Sequence, residues 1–159
     1  MKRSWIGPVG VLVIVVAVMG LLRWQFGGVA PTPEAFAAST TLDAALAESE
    51  QTGKPVLVMA TADWCPPCQV LKRGALADPE VSAWITEHAI AVYADFTDEN
   101  TPEAQRAGRL LEIRAYPTLV LLRDGVEVSR REGVVSADSL LKWLEEAVGK
   151  DGSKDEGEG

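Results

Sequence analysis

Cys65 and Cys68, three positions apart, are the residues whose type and spacing most directly imply chemistry, and they are the chain's 2 cysteines. They follow an apolar run, Val56 to Ala60, that reads as a strand buried on both faces. A helical stretch to about Leu76 comes after them. A Cys-x-x-Cys that opens a helix puts its first thiol at the helix N-terminus. There the unpaired N–H groups and the positive end of the helix dipole favour thiolate over thiol. The thiolate is the nucleophile of disulfide exchange, and a thiol three residues on can close the internal disulfide. Cys65 is therefore expected to attack and Cys68 to resolve the mixed disulfide. Pro66 and Pro67 fix φ and remove two N–H donors from the first turn, which stiffens the loop.

Other uses of two thiols stay open at this point. Zinc needs two further ligands, and only His88, the single histidine, and carboxylates remain to supply them. A copper(I) module also uses two thiolates in a loop opening a helix, although such carriers usually place Met where this chain has Asp63. A purely structural disulfide closing so small a loop would stabilise little. Redox exchange, with neither metal nor organic cofactor, is the expectation. His88, beside Trp84 and Ile85, reads as structural.

The elements that must position the cysteines follow from periodicity and end signals. Leu42, Ala45 and Leu46 fit one face of a short helix stopped by Gly53. Asp78-Pro79-Glu80 combines an N-cap, a first-position proline and a first-turn acid, with Val81, Trp84, Ile85 and His88 on one face of the helix it starts. Ala91 to Phe96 reads as a second buried strand, and Thr101-Pro102-Glu103 starts a helix carrying Leu110 and Leu111. Thr118 to Leu122 and Val126 to Arg130 are strands joined through Asp124-Gly125, a favoured hairpin turn. Ser136 caps a last helix with Leu140, Leu141, Trp143 and Leu144 apolar. The order α-β-α-α-β-α-β-β-α implies an α/β fold, a mixed sheet covered on both faces.

Charge divides the chain of 159 residues, net −8, into three zones. Residues 1–23 carry +3, residues 24–149 carry −9 and residues 150–159 carry −2. The acidic balance argues against nucleic acid as a partner, because phosphates need clustered Lys and Arg. No residue from Trp5 to Leu22 is charged. Eighteen residues make a helix of about 27 Å, enough for a bilayer core. Lys2 and Arg3 before it keep the tip, 1–4, in the cytoplasm, and Trp5 and Trp24 stand as interfacial anchors. The expected organisation is a transmembrane anchor at 5–22 and a flexible linker at 23–39, then one domain at 40–149 and a disordered acidic tail at 150–159. A cleaved signal sequence ending near Ala35-Phe36-Ala37 is the rival for the first segment. Either one exports the domain, to the periplasm or the cell exterior.

Lys54-Pro55-Val56-Leu57-Val58, Ala62-Asp63-Trp64-Cys65-Pro66-Pro67-Cys68 and Tyr116-Pro117-Thr118-Leu119 together resemble the thioredoxin superfamily. The likeness is to the thioredoxin-like domains of bacterial membrane-anchored thiol:disulfide interchange proteins, and it covers about Thr40 to Val148. It implies a thioredoxin-like fold in which Pro117 is cis and sits against the cysteine pair. It also implies that the backbone of Tyr116 pairs with an extended substrate peptide and that Trp64 shields the thiols from one side. Members usually carry a buried acid six residues before the first cysteine, where this chain has Met59. Asp63 is the nearest remaining carboxylate that could accept a proton. The activity implied is reduction of disulfides in exported proteins, with electrons from a membrane donor. An oxidase or isomerase of the same fold is the alternative.

Overall fold

A computed structural model describes residues 8–26 and 28–149 of the chain. The tip at 1–4, Trp5 to Gly7 of the expected span and the tail at 150–159 lie outside the described residues. The first element is α1 (Pro8–Phe26). Its apolar side chains from Val11 to Leu21 stand exposed. Among the described residues no helix is long and apolar enough to cross a membrane.

The remaining elements run α2 (Leu42–Thr52), β1 (Val56–Thr61), α3 (Pro66–Arg73), α4 (Pro79–His88), β2 (Ile90–Asp95), α5 (Pro102–Leu111), β3 (Thr118–Arg123), β4 (Val126–Glu132) and α6 (Ala137–Gly149). The end signals act as expected. The Asp78 carboxylate accepts from the N–H groups of Glu80 and Val81, and the Thr101 hydroxyl accepts from Ala104 N–H. Gly53, at φ 70°, closes α2 in the left-handed conformation that glycine adopts without a Cβ clash. Asp124 and Gly125 both have positive φ, which a tight hairpin between twisted strands requires.

The four strands lie in the order β2-β1-β3-β4, with β1 parallel to β2 and antiparallel to β3. All six residues of β1 are buried, so the strand divides its side chains between two cores. Val56, Val58 and Ala60 face α2 and α5, in the core that also contains both cysteines. Leu57 and Met59 face the opposite way, toward α4 and α6 and toward Leu71 of α3. The period-2 alternation of side chains thus seats one apolar run in two layers of helix. On β4, at an edge of the sheet, the charged Glu127, Arg130, Arg131 and Glu132 oppose edge-to-edge pairing with other chains.

The stretch after α1 corrects the expectation of a flexible linker. Ala30, Pro33 and Phe36 are buried, and Glu34–Phe36 forms a 3₁₀ turn against α4 and β2. The Ser39 hydroxyl accepts from Tyr93 N–H at 2.7 Å, using a donor on the open edge of β2. Pro31 and Pro33 restrict the unfolded chain, so ordering this segment costs less entropy than composition alone suggests.

Candidate active site

Because β1 and β2 are parallel, their C-terminal ends emerge side by side, and the cysteine loop is tied to the segment following β2. Asp63 N–H donates to the Thr97 hydroxyl at 2.9 Å, and the Trp64 indole N–H donates to Thr97 C=O at 3.3 Å. Thr97 is held in turn by the Asp95 carboxylate, to which its own N–H donates at 2.8 Å. Gln69 reaches back from α3 and donates to the carbonyls of Ala62 and Asp63. The loop is therefore clamped from both sides before the helix begins.

Cys65 is the N-cap of α3, and Cys68 N–H donates to its Sγ at 3.2 Å. With Pro66 and Pro67 lacking N–H groups, Cys68 supplies the amide that the first turn turns toward that sulfur. The two cysteines are joined as a disulfide with their Cα atoms 5.3 Å apart. Cys65 keeps 4% of its surface exposed and Cys68 none. An approaching partner meets Cys65 first. Pro66 and Pro67 are exposed, and Trp64 is 57% exposed. That aromatic forms an open rim beside the disulfide. A shallow groove of about 350 Å³ runs from Trp64 and Pro66 to Val29 and Val70.

Thr118 pairs with Ala60, so the Tyr116-Pro117 segment lies at the same end of the sheet as the cysteine loop. The Tyr116-Pro117 peptide is cis and Pro117 is buried. The Tyr116 ring meets Trp64 edge-on with centroids 5.6 Å apart, and Phe96 supports it at 5.2 Å. Its hydroxyl donates to the Glu99 carboxylate at 3.1 Å. Burial, then that bond and the negative charge of Glu99, push the phenol up to about 12. Spectrophotometric titration is expected to show a late ionisation near pH 12 that Tyr116→Phe removes. Since the folded value is the higher one, this group's contribution to stability is complete below the ordinary tyrosine range. It declines as pH rises through about 12. A late phase unchanged in Tyr116→Phe would contradict the arrangement.

Of the residues singled out from sequence, the fold gathers Asp63, Trp64, Cys65, Pro66, Pro67, Cys68, Tyr116 and Pro117 at one end of the sheet. His88 is elsewhere, exposed at the end of α4 and stacked on Trp84 at 4.8 Å. The buried face of α4 is carried by Val81 and Ile85. Met59 is fully buried and pairs across the sheet with Tyr93. Asp63 does not stand alone, because its carboxylate lies 3.6 Å from Lys72 Nζ. Sequence reasoning passed over Lys72, whose side chain is wholly buried. A lysine in the last turn of a helix normally reads as solvated. The available signal is its spacing, four residues after Cys68, which puts it on the same helix face as a buried cysteine.

Comparison with known proteins agrees with this geometry. The family model described as a thioredoxin-like domain matches residues 42–148. A thioredoxin from Thermus thermophilus is similar in structure, with a TM-score of 0.62, 30% identity and coverage of 74% of this chain and 91% of that one. The oxidised C-terminal domain of DsbD from Neisseria meningitidis gives a TM-score of 0.57 at 28% identity, covering 66% of this chain and 90% of that one. A 59-residue stretch is 48% identical to thiol:disulfide interchange protein DsbD 1 of Pseudomonas aeruginosa, covering 37% of this chain and 10% of that protein. The chain thus spans a tenth of that relative's length. It spans 59% of thioredoxin C-3 of Corynebacterium nephridii, to which it is 29% identical over 94 residues, 59% of this chain.

Proposed function

We propose that this chain, which belongs to the thioredoxin-like family, reduces disulfides of exported proteins through its Cys65–Cys68 pair while tethered to a membrane. The observation that carries the reading is the closed disulfide at the mouth of α3. Its outer sulfur accepts an amide N–H, and its inner cysteine is sealed from solvent. In the reduced protein the Cys65 thiolate attacks one sulfur of a client disulfide. A mixed disulfide forms and the other client sulfur leaves as thiolate. The Cys68 thiolate then attacks Cys65 Sγ and releases the second client thiolate. Two electrons have moved to the client, and this chain is left in the disulfide form. Trp64, Tyr116 and Pro117 frame the approach, and the backbone at Tyr116 takes an extended client segment.

The dithiol must then be restored by a donor, and the N-terminal segment supports a membrane-bound one. The uncharged run from Trp5 to Leu22 is long enough for a bilayer, and α1 carries exposed apolar side chains along it. The domain would stand on the periplasmic or extracellular side, where disulfides accumulate and a reductant must be supplied.

Turnover of a protein disulfide by the reduced full chain tests the exchange, and its equilibrium with a glutathione buffer tests the direction. A midpoint near the thioredoxin value of about −270 mV is the expected result, and one near −120 mV would make the chain an oxidant. Absence of turnover, together with tight copper(I) binding lost in Cys68→Ser, would replace the redox reading with metal carriage.

A further inference from the structure

Beneath the cysteine loop lies a buried polar cluster that the exchange reaction as described leaves unused. Lys72, one helical turn beyond Cys68 on α3, has no exposed side-chain surface. Its Nζ donates to the Tyr93 hydroxyl at 2.9 Å and sits 5.6 Å from the centroid of that ring. Its ionic partner is Asp63, two residues before Cys65, whose side chain is 42% exposed. Thr61, two residues after Met59 on β1, turns its side chain to the same face of the sheet. Its hydroxyl is buried and has no hydrogen-bond partner among the described residues. Asp95, opposite Thr61 on β2, holds Thr97, which in turn holds the Asp63 backbone. Arg73, next to Lys72, is directed away and donates to Gly28 C=O.

A fully buried lysine is costly unless its charge is compensated. Here the compensation is uneven. One neutral hydroxyl is at hydrogen-bond distance, and the carboxylate is farther off and half in solvent. Part of the ammonium's field is left to act on whatever negative charge develops nearby. The charge that develops on reduction of the disulfide is the Cys65 thiolate, on the loop whose Asp63 this lysine holds.

We propose that Lys72 is a positioning residue of the dithiol, anchoring the Asp63-Trp64-Cys65 loop and favouring the Cys65 thiolate by its charge. The proposal rests on the reading of Cys65–Cys68 as an exchanging pair and adds what sets its reactivity. α3 thus brings a buried cation beside Tyr93, the cross-strand neighbour of Met59. That cation stabilises the reduced, thiolate-bearing form, so Lys72→Met is expected to move the glutathione equilibrium toward the disulfide.

The test is the pH dependence of Cys65 alkylation by iodoacetamide in the full chain, held in detergent, alongside the glutathione equilibrium. Lys72→Met removes the cation that faces the Asp63 carboxylate. It is expected to move the thiol titration to higher pH and slow alkylation at neutral pH by about three- to tenfold. Asp63→Asn removes the counter-charge, keeps the lysine, and is expected to move the titration the opposite way. Loss of packing alone changes the solvation of the thiol and moves both titrations in one sense, not in opposite senses. Folding of each variant is checked by circular dichroism, and Lys72→Gln, which removes the charge but keeps a hydrogen-bonding group for Tyr93, is expected to move the titration to higher pH and keeps the test decisive if Lys72→Met unfolds. Titrations that coincide with wild type, or that move in the same direction, would overturn the proposal. A wild-type protein that exchanges no disulfide would instead bring down the exchange reading beneath it.

Discussion

Cys65→Ser is expected to lower disulfide reduction by about a thousandfold or more, to the uncatalysed background, whereas Cys68→Ser attacks once and stops. The difference follows from burial and from the helix mouth. Cys65 is the cysteine with exposed surface, and the Cys68 amide donates to its sulfur. Replacing that sulfur by a hydroxyl removes the nucleophile and leaves the sealed Cys68 unable to reach a client. Replacing Cys68 leaves the nucleophile intact but removes the thiol that cleaves the mixed disulfide. Turnover with dithiothreitol as electron source measures the first effect. Mass spectrometry of the Cys68→Ser protein mixed with an oxidised client measures the second, as an adduct of one client chain. Sustained turnover by Cys65→Ser would show that the assignment of roles is wrong.

Phe36→Ala is expected to destabilise the domain by about 3–5 kcal/mol, although Phe36 precedes the first helix of the domain. Its ring is 1% exposed and belongs to the core that contains Leu57, Ile85, Leu140 and Leu144. Truncation forfeits the transfer free energy of the ring and leaves a cavity that these neighbours, fixed on separate elements, close only in part. Urea unfolding measures it as a fall in midpoint at unchanged slope. A loss below about 1 kcal/mol would mean that the 3₁₀ turn at 34–36 is not part of the cooperative unit. A domain preparation begun at Thr40 would suffer the same loss, so the segment from Ala30 onward belongs with the domain in any stability measurement.

These two expectations separate what local rules reach from what they do not. The strand from Val56 to Ala60, the caps Thr101 and Asp78, the Asp124-Gly125 hairpin and the Cys-x-x-Cys at a helix start could all be read from residues within a few positions of one another. The order of elements, the mixed sheet and the redox pair follow from them. The pairing of Tyr116-Pro117 with the cysteine loop was legible only through the resemblance, since about fifty residues separate the two and no periodicity joins them.

Two features escaped every local rule. The Pro-rich stretch before the domain has the composition of a tether, yet Phe36 finds a slot between α4 and β2 that exists only after both have folded. Lys72 has the residue type of a solvated helix end, yet its side chain is buried, with Tyr93 and the half-exposed Asp63 as partners. The chain's own sequence determined which segments become helix or strand and which two residues carry the chemistry. Those choices rest on backbone sterics, capping and side-chain period, all short-range. Tertiary structure alone decided what is buried against what, and so which charge meets Asp63. Burial depends on surfaces contributed by segments distant in the chain, and no residue's own neighbourhood encodes them.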